Sequence, residues 1–202
     1  MLPKSFKEWL LILLIILTSG YFIYEKMEQR RIAVIGPVEE QPVQESTNIP
    51  SLQRDDYDIQ PVARYALRAK VLSAERYRMG RMSDLSPLDL ALGWGPMSRN
   101  DVIEKLDIRQ GNRWYYYRWE GTPPISPADI IRSSANTHLV PASDSVKSRL
   151  LKVRTGEIVK LKGYLINIKH RDGWTWNTSL TREDSGAGSC ELMWVEEAFI
   201  EN

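Results

Sequence analysis

An apolar run near the N-terminus places the strongest constraint on how this chain can fold. The run occupies residues 9–24, sixteen in all, and contains no charged side chain. At about 1.5 Å per residue it forms a helix of about 24 Å, against roughly 30 Å for a bilayer core. Aromatic residues at both ends and basic residues just beyond them are typical of a helix anchored at two membrane interfaces. The sequence predicts a short head at 1–8 and a transmembrane helix or signal anchor at 9–24.

A cleaved signal peptide is the alternative interpretation of the same run. Lys4 and Lys7 would supply its charged start, and Thr18 and Gly20 the small residues that precede a cut. However, the run has no Ala-x-Ala pattern, and it stays apolar as far as Tyr24, where a mature protein should turn polar. The sequence therefore favours an uncleaved anchor.

The composition of the chain changes after the run. Residues 25–55 begin as a charged extension of the helix and continue as a tether rich in proline and glutamate, a composition that disfavours helix and strand. Residues 56–202 have the size of one globular domain. In the whole chain 43% of the residues are apolar and the net charge is +1. This composition predicts a packed core and no nucleic-acid partner.

Helix-start signals and apolar alternation predict a domain of mixed α and β structure. The predicted helices extend from Ser86 to Gly93, from Ser98 to about Leu106, from Ser126 to about Ser133 and from Ser143 to about Val153. Apolar alternation predicts strands near 65–73 and 113–119 and in the C-terminal part, where the phase shifts at Gly163, as it would at a bulge. Asp172 and Gly173 predict a type I′ hairpin turn.

These elements indicate the α+β fold class. We expect a small, curved, mostly antiparallel sheet, or a partly open barrel of the OB or SH3-like kind, with short helices inserted between its strands. One transmembrane helix would precede this domain.

Four stretches of the sequence resemble those of an uncharacterised family of bacterial proteins with a single N-terminal membrane span. They are IGPVEE, LSPLDLALGWGPMS, SSANTHLVPAS and DGWTWNTSLTREDSGAGSCELMWVE. The resemblance implies a bacterial, membrane-anchored setting and no activity. A short head followed by one span is the usual layout of an exported domain. We therefore expect a single-pass protein of the inner membrane whose globular domain lies in the periplasm.

Catalysis by an activated nucleophile would have to use the few thiol and imidazole groups of this chain. Cys190 is the only cysteine, and His138 and His170 are the only histidines. His138 lies in a polar segment beside Asn136, which could orient its ring, so Cys190, His138 and Asn136 make up a hypothetical catalytic site. The structural alternative is that Cys190 is a small apolar residue of a strand, the common role of an unpaired cysteine.

The same few residues bear on disulfides and metals. A single cysteine excludes an intramolecular disulfide, and two histidines without clustered carboxylates offer no metal-ligand spacing. We predict no metal and no cofactor.

The segment 113–119, RWYYYRW, is the clearest sign of a binding surface. In a strand, Trp114, Tyr116 and Arg118 face one way while the residues that alternate with them face the other. Exposed aromatic rings stack on sugars or bases, and flanking arginines attract carboxylates or phosphates. The predicted binding residues are Arg113, Trp114, Tyr116 and Arg118. The alternative is that helices cover this second face.

The predicted function is a non-enzymatic binding or interaction module, held at the membrane by its helix, whose partner is an envelope protein or a glycan. The alternative is a small cysteine hydrolase that uses Cys190 and His138. The sequence contains no glycine-rich fingerprint, nucleophile elbow or paired-acid motif that would favour an enzyme.

Overall fold

The N-terminal unit of the chain is one helix. In the computed structural model, which describes residues 6–33, 36–181, 186 and 188–201, helix α1 extends over Phe6–Ala33. The charged extension predicted after Tyr24 is therefore helical as far as Ala33. Of the predicted head at 1–8, residues 1–5 lie outside the described part.

The predicted transmembrane helix at 9–24 is not confirmed. Over the residues that the structure describes, no helix combines the length and the apolar character that crossing a membrane requires. The inner-membrane location and the periplasmic orientation stay predictions.

The second unit, Gly36–Asn202, contains all the strands of the described part. The strands are β1 (Val43–Ser46), β2 (Leu52–Arg54), β3 (Tyr57–Arg76), β4 (Leu88–Gly93), β5 (Asp107–Gly111), β6 (Trp114–Arg118), β7 (Ser134–Pro141), β8 (Ile158–His170), β9 (Thr175–Asn177) and β10 (Glu191–Glu201). The helices are α2 (Arg81–Leu85), α3 (Asn100–Ile103), α4 (Pro127–Arg132) and α5 (Asp144–Leu150), with a 3₁₀ turn at Gly95–Ser98.

One strongly curved sheet dominates this unit. Its strand order is β1-β3-β4-β7-β10-β8-β9, with β2 added to β3, and β3 also pairs with β8. The pairing of β7 with β10 is parallel, whereas the other pairings within the sheet are antiparallel. The sheet is not a closed barrel. The predicted mixture of α and β structure and the predicted curved, mostly antiparallel sheet are therefore confirmed. Strands β5 and β6 form a separate two-stranded hairpin.

The compact unit begins earlier than the domain start predicted at residue 56. Val38 is fully buried, and its backbone N–H donates to Oγ of Ser98 at 2.8 Å. Strands β1 and β2, both within the predicted tether at 25–55, pair with β3. A proline-rich segment can add short strands of this kind to the edge of a sheet.

The helix predicted from Ser86 to Gly93 is wrong, because Leu88–Gly93 forms strand β4. Every residue of β4 is buried, which removes the alternation that would have marked it as a strand. A short apolar run of this kind cannot be assigned to helix or strand by its period. The helix predicted from Ser98 is shorter than expected, since α3 ends at Ile103.

The other two predicted helix starts are correct. The Oγ atoms of Ser126 and Ser143 each accept a hydrogen bond from the backbone N–H three residues later, at 3.1 and 3.3 Å. These bonds satisfy donors that have no partner in the first helical turn. Helices α4 and α5 therefore begin at capping serines.

The phase shift predicted at Gly163 coincides with a bulge, which lies on the neighbouring strand. The register of β8 with β10 moves from Gly163 opposite Val195 to Lys162 opposite Glu197, so Glu196 is the extra residue. A Cβ atom on Gly163 would overlap the carbonyl oxygen of Trp194. The glycine is required because the bulged strand approaches its backbone so closely.

The hairpin turn after β8 differs from the predicted type I′. Gly173 has a φ of 93°, but Asp172 does not have a positive φ. The N–H of Gly173 donates to the carbonyl of His170 at 3.0 Å, and the N–H of His170 to the carbonyl of Trp174 at 2.8 Å. This is the three-residue loop in which a type I turn is followed by a left-handed glycine.

Two apolar clusters cover one face of β4, β7 and β10. The first, here called the hairpin cluster, consists of Leu72, Ala91, Met97, Val102, Leu106 and Ile130, with Tyr115, Tyr117 and Trp119 among the residues packed against it. The second, here called the tryptophan cluster, includes Val140, Leu192 and Trp194, with Trp174 and Trp176 packed against it. Leu192 lies opposite His138, and Val140 follows His138 by two residues, so both side chains are on the same face as His138. Ala91 of the hairpin cluster is also on this face, because it lies opposite Asn136, two residues before His138.

Candidate functional site

Polar side chains lie between the two clusters on this face of the sheet. Asp89 of β4 is opposite His138 of β7, and Asn136 of β7 is opposite Ala91 of the hairpin cluster. Asp89, Asn136 and His138 are all buried, at 4% exposure or less. Burying polar groups is costly unless each of them finds a partner. Their contacts therefore define the site.

The tip of the β5–β6 hairpin supplies the countercharge for Asp89. Asn112 and Arg113 form its two-residue turn with φ values of 51° and 69°, the signature of a type I′ turn. Nη1 of Arg113 lies 2.6 Å from Oδ1 of Asp89. The guanidinium carbon lies 3.7 Å from the centre of the Tyr77 ring. Arg113, predicted as a binding residue, instead anchors the hairpin through a largely buried side chain.

Hydrogen bonds to the main chain hold the same turn. The N–H of Arg113 donates to the hydroxyl of Tyr77 at 2.9 Å, and Nδ2 of Asn136 donates to the carbonyl of Arg113 at 3.0 Å. Nε2 of Gln110 donates in turn to Oδ1 of Asn136 at 2.7 Å. A positive φ costs a residue with a side chain about 1–2 kcal/mol. The contacts of Arg113 offset that cost and fix the hairpin on the sheet.

The imidazole of His138 lies against the same carboxylate. Nδ1 of His138 lies 2.8 Å from Oδ2 of Asp89, and its ring centre lies 4.8 Å from that of Trp176. The two groups are close but are not aligned for a hydrogen bond. In a catalytic triad a hydrogen bond joins the acid to the imidazole, so only the proximity of the two groups resembles a triad. Asp89 thus serves two buried partners, Arg113 and His138.

Cys190 lies beside this group at the start of β10. Its Sγ accepts from Nδ2 of Asn136 at 3.6 Å and lies 4.0 Å from the carbonyl oxygen of Arg113, to which the thiol can donate. Cys190 and His138 line the same cavity. The structure therefore brings together Asn136, His138 and Cys190, the three residues of the hypothetical catalytic site.

Two cavities flank the hairpin, and Trp114 and Cys190 line both of them. One, of about 380 Å³, lies between β6 and β7 and is lined by Trp114 to Tyr117 and by Ser134 to Asn136. The other, of about 370 Å³, is lined by Trp176 and His138 as well. We call the two cavities together the hairpin cleft. Most of the predicted binding and catalytic residues therefore belong to one region.

The hairpin presents an aromatic face to solvent, as the alternation predicted. Trp114 is 38% exposed and Tyr116 is 53% exposed, whereas the opposite face of β6 packs on the hairpin cluster. Arg118 is on the exposed face, where Nη2 lies 2.7 Å from Oδ2 of Asp107. The charge of Arg118 is therefore already paired. Burial raises the pKa of Tyr115, so its phenol stays uncharged.

Sequence reasoning missed several residues of the site. Asp89 was assigned to a helix, and Tyr77, Gln110 and Trp176 had no predicted role. The available signal was a single carboxylate inside the apolar run of 88–92, because a buried acid requires a positive or hydrogen-bonding partner. That signal identifies a need for a partner but does not identify Arg113 as the partner.

Neither metal ligation nor similarity to other proteins adds to this description. Within the described residues, no group of three or more histidine, cysteine, aspartate or glutamate side chains is placed to hold a metal ion. Comparisons with protein-family models, with characterised proteins and with solved structures give no match for this chain.

Proposed function

We propose that the protein is a non-enzymatic binding module and that its ligand occupies the hairpin cleft. The observation that carries the proposal is the position of Trp114, which lines both cavities and is partly exposed on a hairpin fixed by buried contacts. A rigid aromatic side chain beside a cavity provides contact area at low entropic cost. Tyr116 extends the same surface.

The strand order gives independent support for this location. From the order β3-β4-β7-β10-β8, with β8 beside β3 and a parallel β7–β10 pair, we infer an OB-like, partly open barrel. In OB folds the face of the second and third strands binds ligands. Those strands correspond here to β4 and β7, which carry Asp89 and His138. This support is an analogy at the level of fold, and the site chemistry must agree with it.

The charges of the cleft favour an uncharged ligand surface. Arg113 is paired with Asp89, and both Arg109 and Arg118 contact Asp107. Binding a chain of phosphates requires cations that are free to replace counterions. The amide and hydroxyl groups of the cleft suit a protein or glycan partner better than a nucleic acid.

The proposal can be tested with two defined sets of probes, a glycan array and a random-sequence peptide library, applied to the full-length protein in mild detergent. We expect at least one set to yield a ligand. We expect Trp114→Ala to weaken binding of that ligand by at least about tenfold, because central aromatic contacts dominate interfaces. Tyr116→Ala should weaken it less.

Phe199→Ala is the matched control, because Phe199 is an aromatic residue of 50% exposure that does not line the cleft. Its affinity for the ligand should equal that of the unaltered protein. Full affinity in Trp114→Ala and Tyr116→Ala, or no ligand from either set, would contradict the proposal.

A cysteine hydrolase is the second candidate, because His138 lies 2.8 Å from the carboxylate of Asp89 and because His138 and Cys190 line one cavity. The sequence contains no nucleophile elbow or other catalytic motif that would support this candidate, which favours the binding module.

Thiol labelling separates the two candidates. We expect Cys190 of the folded protein to react with iodoacetamide near neutral pH no faster than the same thiol in the denatured chain. His138→Ala should leave this rate unchanged. Labelling faster than in the denatured chain, and slowed by His138→Ala, would replace the binding module with the hydrolase.

A further inference from the structure

One cavity of the hairpin cleft follows the edge of strand β6. It is lined by the four successive residues Trp114 to Tyr117 and by none of β5. Successive residues of a strand point to opposite faces. A cavity that touches four in a row therefore lies along the edge of the strand, where the backbone is accessible, and not over one face of the hairpin.

Along β6, the backbone N–H and C=O groups of successive residues point alternately toward β5 and away from it. In a hairpin with a two-residue type I′ turn, the residues next to the turn, Gly111 and Trp114, bond to each other through both N–H and C=O. The polar groups of Tyr116 point the same way, toward β5. The backbone N–H and C=O groups of Tyr115 and Tyr117 point away from β5, toward the cavity at this edge. Among the described residues, neither of these two makes a backbone hydrogen bond beyond the hairpin.

The opposite wall of the cavity includes a segment of β7, and Ile131, Gly186, Ser189 and Cys190 complete the lining. Residues 134–136 are bonded to β4 on one side, and the pairing of β7 with β10 begins only at Thr137. The two walls approach each other where the hydroxyl of Tyr115 donates to Oγ of Ser134 at 3.4 Å. The cavity thus separates the edge of the two-stranded hairpin from the main sheet.

We propose that an extended peptide segment of a partner protein binds this cavity by adding to β6 as a third strand. The inference rests on the proposed function and names the partner class. Unpaired N–H and C=O groups along a strand edge are the groups that strand addition uses. Four residues of β6 offer about 10 Å of edge, which matches a short peptide.

The side chains of the hairpin indicate the character of that peptide. Residues of an added strand that lie beside Trp114 and Tyr116 would contact these rings on the exposed face. Aromatic and β-branched side chains make the most favourable cross-strand pairs with aromatic rings. The partner segment is therefore extended and carries such residues at alternate positions. A glycan would not require the alternating backbone groups of Tyr115 and Tyr117.

Amide hydrogen exchange tests this geometry directly. The probe is a peptide selected from the random-sequence library on the full-length protein, added to saturation and followed by residue-resolved NMR. We expect the amide hydrogens of Tyr115 and Tyr117 to exchange at least about tenfold more slowly with peptide bound. The amides of Trp114 and Tyr116, already bonded to β5, should change much less and serve as internal controls.

Backbone methylation of the selected peptide gives a second measurement. N-methyl groups should reduce affinity at least about tenfold at alternate positions, where the peptide N–H faces β6, and have little effect at the positions between them.

Several outcomes would overturn the inference. The first is slower exchange at all four amides of Trp114 to Tyr117, without the alternation between Tyr115 and Tyr117 and their neighbours. The second is a peptide whose affinity does not change on N-methylation at any position. The third is a library that yields no peptide. If only glycans bind and Trp114→Ala abolishes their binding, the inference fails while the proposed function stands. If neither set of probes yields a ligand, both fail.

Discussion

Replacing Asp89 by alanine should lower the free energy of unfolding by about 3–5 kcal/mol, because it removes the partner of a buried charge. Asp89 is fully buried and contacts both Arg113 and His138. Without the carboxylate, the guanidinium of Arg113 loses its countercharge, and the imidazole of His138 loses a charged neighbour 2.8 Å away. Chemical denaturation of the full-length protein measures the change. The hairpin should also lose its attachment, so ligand binding should fall with stability.

Asp107→Ala is the control for this prediction. Asp107 also contacts two arginines, Arg109 and Arg118, but its side chain is 39% exposed and water can replace its contacts. We expect the denaturation midpoint of this variant to stay close to that of the unaltered protein. Equal effects of the two substitutions would show that the Asp89–Arg113 pair does not anchor the hairpin.

Gly163→Ala should be the second severe substitution, with a loss of about 2–4 kcal/mol. Its added methyl group would overlap the carbonyl oxygen of Trp194, and neither strand can withdraw without breaking the β8–β10 ladder. Thermal unfolding of the full-length protein should show a clear decrease in Tm.

Gly111→Ala is the matched control for Gly163→Ala. Gly111 also lies in a strand, β5, and no atom lies within 4 Å of the position that its Cβ would occupy. Its Tm should remain nearly unchanged. A Gly163→Ala protein as stable as Gly111→Ala would show that the two strands are farther apart than the structure places them.

The sequence was sufficient to predict those elements whose formation depends on residues close together in the chain. The capping serines of α4 and α5 act within one helical turn, and the alternation of β6 follows from residues 113–119 alone. The curved, mostly antiparallel sheet followed from the same kind of pattern. Strand β4 was missed because both of its faces are buried, a property set by elements distant in the chain.

The composition of the site depended on pairings that no local pattern reveals. His138 and Cys190 become neighbours through the parallel register of β7 and β10, across 52 residues of sequence. Arg113 reaches Asp89 because a type I′ turn directs it inward, although its place beside aromatic residues predicted a surface role. The sequence therefore indicated which residues lie near one another less directly than it indicated their residue types.

The central claim is that a ligand binds between the hairpin and the main sheet. The most direct measurement is an NMR titration of the full-length protein with a ligand selected from either probe set. The account predicts that the largest shift changes occur at Trp114 to Tyr117, Ser134 to Asn136 and Cys190, which line the larger cavity of the cleft. Shift changes concentrated elsewhere, for example around Arg76 and Lys147 at a separate cavity, would contradict it.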